Sequence, residues 1–64
     1  MLEDKILQFM KERKKYSKKS LINYFAWYSP THIDKVLENL NEELELVNEY
    51  GVEFVRLRSN AKPS

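Results

Sequence analysis

Gly51 is the only glycine in the chain, and it separates two runs of alternating character in "LELVNEYGVEFVRLR", residues 44–58. Both runs are rich in β-branched and aromatic residues at period two, the signature of paired strands and not of a helix. Glycine between such runs supplies the positive φ that a two-residue hairpin turn needs. With Tyr50-Gly51 as that turn, Glu49 faces Val52, Val47 faces Phe54 and Glu45 faces Arg56 on one surface. On the other, Leu46 faces Val55 and Leu44 faces Leu57. This register makes one side aliphatic and places an ion pair on the other, whereas a one-residue slip would mix the two sides. It also turns Val47 and Phe54 outward, where they need a cover.

Upstream the period is helical. Leu2, Ile6, Phe9 and Met10 fall on one face with Leu7 on its flank, which predicts an amphipathic helix ending in the charged run at 12–15. Its early acids and late bases complement the helix dipole. Ser17 is the expected N-cap of a second helix with Leu21, Tyr24 and Phe25 inward and Ile22 beside them. "AWYSP" ends that helix, because the residue before a proline avoids the helical region. Ser29 then caps a third helix, about 29–42, with Pro30 at its first position, where the missing N–H is harmless. Ile33, Val36, Leu37 and Leu40 form its buried stripe, leaving Thr31, Lys35, Glu38, Asn39 and Glu42 outward. Trp27 and Tyr28 are expected to plug the corner between helices two and three, with Tyr16 in the core.

Sixty-four residues hold one core and one domain, here 1–58, with "SNAKPS", 59–64, as a flexible tail lacking an apolar anchor. No cysteine and a single histidine exclude disulfides and a conventional zinc site. No apolar run is long enough to span a bilayer and no signal-peptide core is present, so a cytoplasmic protein without a membrane partner is expected. An enzyme is not expected, nor a cofactor, metal or small-molecule substrate. Nothing in the sequence pairs a nucleophile with a base, cradles phosphate or clusters metal ligands. Charge is uneven. Residues 1–28 carry seven bases and three acids, net +4, and residues 29–64 four bases and seven acids, net −3. "KERKKYSKK", 11–19, alone holds six of the eleven bases.

Three helices followed by a hairpin resemble the winged helix-turn-helix superfamily over nearly the whole chain, from Leu2 to Arg58. The strongest part is "SLINYFAWYSPTHIDKVLENLNEELELV", which looks like helix two, the turn, the recognition helix and the first wing strand. Leu21 and Phe25 match apolar positions of helix two, Ser29-Pro30-Thr31 the start of the recognition helix, and Ile33, Leu37 and Leu40 its buried positions. The sequence departs from the family in three places. Ala26-Trp27-Tyr28 replaces a glycine-bearing turn, Glu43 replaces the glycine before the wing, and the hairpin tip carries no base. The resemblance implies an α+β, mostly helical fold: a three-helix winged helix-turn-helix with a C-terminal two-stranded β-hairpin wing.

It also implies double-stranded DNA as partner, sequence-specific or general, and a role as a small transcription regulator. Thr31, His32, Lys35 and Asn39 are the candidates for reading bases, since Asn pairs with adenine and Lys donates to guanine. Lys14, Lys15, Lys18, Lys19, Ser29 and Arg58 are the candidates for the DNA backbone, where charge suffices. Arg56 is expected to pair with Glu45, and Tyr50 is the exposed wing tip. The alternative is a protein-interaction winged helix, such as a replication or assembly accessory. Its acidic third-helix face (Asp34, Glu38, Glu42, Glu45) would meet a basic partner, or Val47 and Phe54 would make a homodimer or docking patch.

Overall fold

The computed structural model describes residues 1–58, in the order α1 (Leu2–Arg13), β1 (Lys15–Ser17), α2 (Lys18–Tyr24), α3 (Pro30–Asn39), β2 (Leu44–Glu49) and β3 (Val52–Leu57). It is a small α+β domain of three helices and a three-stranded antiparallel sheet. The expected tail at 59–64 lies outside the described residues.

Each helix starts and stops where its local chemistry dictates. Ser17 Oγ accepts from the Ser20 N–H at 3.1 Å and Ser29 Oγ from the His32 N–H at 3.1 Å, so both expected N-caps form. Pro30 follows Ser29 at the head of α3. Leu40 closes α3, which is therefore shorter than the 29–42 expected; Asn41 to Glu43 are a turn into β2. Lys14 ends α1 with φ 73°, an unusual conformation for a side-chain-bearing residue, and its N–H donates to Met10 O at 2.6 Å.

The hairpin has the register the sequence implies, from Leu44 opposite Leu57 to Glu49 opposite Val52. Tyr50 and Gly51 both have positive φ, 55° and 80°, as a two-residue primed turn requires. Asn48 Oδ1 accepts from the Gly51 N–H at 3.2 Å and fixes the tip.

One element departs from expectation. The hairpin is not a separate two-stranded wing, because "KYS" adds to it as β1, giving the order β1-β3-β2. Lys15 pairs with Arg56, Tyr16 with Val55 and Ser17 with Phe54, and the Leu57 N–H donates to Lys14 O at 3.0 Å. The turned-back end of α1 delivers these residues to the free edge of β3, whose unpaired backbone groups take them up.

The core lies between the helices and one face of this sheet. Ile6, Met10, Leu21, Ile33 and Val55 are fully excluded from water, with Leu2, Phe9, Phe25, Val36, Leu37, Leu40 and Leu44 around them. Each such side chain contributes roughly 1.5–3 kcal/mol by burial. The stripe on α3 is thus clamped as its spacing implies, and Thr31 and Lys35 face solvent. The aliphatic sheet face is covered unevenly. Leu44 is 2% exposed and central-strand Val55 0%, whereas Leu46, opposite Val55 on edge strand β2, is 48% exposed.

Candidate nucleic-acid interface

Thr31, His32, Lys35 and Asn39 are all exposed on α3. Thr31, Lys35 and Asn39 recur every fourth residue and so stack in one row, with His32 alongside. Asp34 and Glu38 form the neighbouring row, on the flank that borders the hairpin, where both line a groove of about 450 Å³. Lys35 is the only base on this outward side of α3, and exposed Glu38 stands next to it toward the C-terminal end. The first turn of α3 holds no acid, and no acid occurs anywhere from Arg13 to Ile33. His32 packs edge-on against Tyr28, ring centroids 5.7 Å apart.

The basic candidates divide into two groups. Lys14, Lys19 and Lys35 are exposed and form no ion pair among the described residues. Lys18 is committed inward: its ammonium lies 2.8 Å from Asp34 and 3.8 Å from Glu53, tying α2 to α3 and to β3. The hydrogen bond it donates to the Asp34 carboxylate is the largest influence raising its pKa above 10.5, partly opposed by burial. Lys15 reaches across β3 from β1 to Glu49 on β2, at 2.6 Å, and its ammonium sits 4.8 Å from the Phe54 ring centroid.

That span answers the exposure of the Val47–Phe54 pair. Both residues are half-buried, and the Lys15 side chain passes over Phe54, so this surface has a cover within the chain. Arg56 pairs with Glu45 as the register implies. Arg58, expected to be free for the DNA backbone, is instead engaged. Its Nε donates to Asn41 O at 2.6 Å and its Nη1 to Glu45 at 3.3 Å, joining the end of β3 to the turn after α3.

Two aromatics stand fully in water. Tyr50 at the hairpin tip is expected there. Trp27 is not: it is 97% exposed and plugs nothing. The corner is filled by Phe25, which is buried, and by half-buried Tyr28, while Phe25 meets Phe9 and Tyr24 edge-on at 5.4 and 5.1 Å. Sequence spacing could not separate Trp27 from Tyr28, because both lie where helical periodicity has ended.

Among the described residues no group of acidic or histidine side chains is placed to hold a metal ion, and no helix is long and apolar enough to cross a membrane. Comparison with protein-family models, curated proteins and solved structures gives no match for this chain.

Proposed function

We propose that this chain is a winged helix-turn-helix domain that binds double-stranded DNA, with α3 in the major groove and the β2–β3 hairpin as the wing. The element order supports the first half: a helix, a short strand, two capped helices joined by a tight turn, then a hairpin to which the first strand adds. The observation that carries the second half is the segregation on α3. Thr31, His32 and Lys35 are exposed at its head, where the first turn holds no acid and Asp34 is neutralised by Lys18, while exposed Glu38 lies toward its C-terminal end. Phosphates can approach the head of α3 along an acid-free stretch, with Lys14 and Lys19 supplying non-specific attraction. A small transcription regulator is the role this arrangement suits.

Salt titration of duplex binding tests the proposal. Log affinity falls steeply with log salt concentration, and Lys14→Ala and Lys19→Ala each reduce that slope by about 0.9 without altering sequence preference. Asn39→Ala flattens sequence preference instead. No binding at about 50 mM salt, or a slope near zero, refutes the proposal.

A second reading, contact with a basic protein segment, has one observation in its favour. The groove between α3 and the hairpin has Leu37, Leu44, Leu46 and Val55 as its apolar floor and Asp34, Glu38 and Glu45 among its walls.

A further inference from the structure

Trp27 is the only tryptophan of the chain, and no large apolar side chain except Tyr50 is more exposed. A lone exposed apolar residue is ordinary on a surface. What distinguishes Trp27 is the rigidity of the backbone that carries it. The Phe25 N–H donates to Leu21 O and the Tyr28 N–H to Phe25 O, each at 3.0 Å, and Ser29 caps α3 immediately afterwards. Phe25 on one side is buried in the core and Tyr28 on the other is held against His32. The turn is therefore pinned at both ends and presents the indole between them. An aromatic side chain on a backbone fixed in this way has only its two side-chain torsions to lose when it is covered, which suits a binding anchor.

Its surroundings specify what covers it. From Ser20 to Ile33 the chain has no Asp, Glu, Lys or Arg, although a third of the whole sequence is charged. The indole is thus carried on an uncharged stretch of chain that leads into the head of α3, with exposed Lys19 upstream and Lys35 downstream in sequence. Basic flanks draw in the phosphates, and an uncharged aromatic between them meets the sugar face and base edge that lie between phosphates.

We infer that Trp27 is an apolar anchor of the DNA interface, packing its indole on deoxyribose and the adjoining base edge next to the N-terminus of α3. This rests on the DNA-binding reading above and adds to it a contact that does not depend on salt. Lysine contacts release counterions and steepen the salt dependence, whereas an indole contact adds the same increment of affinity at every salt concentration.

The test uses the intrinsic emission of this single tryptophan together with the anisotropy of a fluorescein-labelled duplex, so that binding and indole coverage are read separately. On saturation with duplex, Trp27 emission changes and its quenching by acrylamide falls. Trp27→Ala weakens binding about tenfold, as expected for truncation of a tryptophan anchor, and leaves the salt slope unaltered. Because the side chain is in water, the variant keeps the wild-type circular dichroism and melting temperature. Binding seen by anisotropy with unchanged emission and unchanged quencher access overturns the inference and leaves DNA binding standing. Emission that responds to protein concentration in the absence of DNA also overturns it, since a second copy is then the cover. No anisotropy change removes the DNA-binding reading itself, and the inference with it.

Discussion

Removing Lys18 should loosen the joint between α2, α3 and β3, and a double-mutant cycle with Asp34 measures how far. The Lys18 side chain is only 21% exposed, while Asp34 and Glu53 are about half exposed at 50% and 49%. Exposed ion pairs contribute roughly 0.2–1 kcal/mol, and this partly shielded one belongs in the upper half of that range. Lys18→Met keeps the apolar stem but leaves both carboxylates without their cation, so it should lower stability by about 1 kcal/mol, or about 4–8 °C in melting temperature for a domain of this size. Combined with Asp34→Asn in urea unfolding followed by circular dichroism, the cycle should return a coupling of about 0.5–1 kcal/mol that shrinks in about 1 M salt. The folded-state pKa of Lys18 is raised above 10.5, chiefly by Asp34. Its contribution is therefore complete below the unfolded value and disappears as pH rises through the folded one. The gap between wild type and Lys18→Met should accordingly stay constant from neutral pH to about 9 and close above 10.5. A coupling under about 0.2 kcal/mol, or one indifferent to salt, would refute the assignment of Lys18 as a structural tie.

Two further outcomes follow from the packing. Ile33→Ala empties a fully buried site on α3 and should cost about 2–5 kcal/mol, enough to leave much of a domain this small unfolded at room temperature by circular dichroism. Gly51→Ala meets no atom within 4 Å but forces an alanine to φ 80°, so thermal melts should show a loss of about 1–2 kcal/mol with the native fold retained.

The parts of this fold that were legible in the sequence are those set by local chemistry. Ser17, Ser29 and Pro30 cap their helices through side-chain and ring effects that act over three residues, and the Gly51 turn fixes the whole β2–β3 register. The parts that were not legible depend on contacts distant in sequence. "KYS" is too short to reveal its own alternation, and it becomes a strand only because β3 offers an edge. Lys15, Lys18 and Arg58 looked alike as free bases, yet each is taken up by a carboxylate or carbonyl more than a dozen residues away: Glu49, Asp34 and Glu53, Asn41 and Glu45. The basic run consequently offers fewer free charges than its composition implies. Trp27 was misplaced for the converse reason, as composition favours burying an indole and only the three-dimensional corner shows that Phe25 and Tyr28 already fill it.

The central claim is that the exposed row of α3 meets duplex DNA, and amide chemical-shift mapping tests it most directly. Titrating a random-sequence duplex into labelled protein at low salt should perturb the amides of Trp27 to Asn39 and those around Lys14 and Lys19. Shifts confined to the groove walls at Glu38, Asn41, Leu46 and Val55, or no shifts at all, would contradict it.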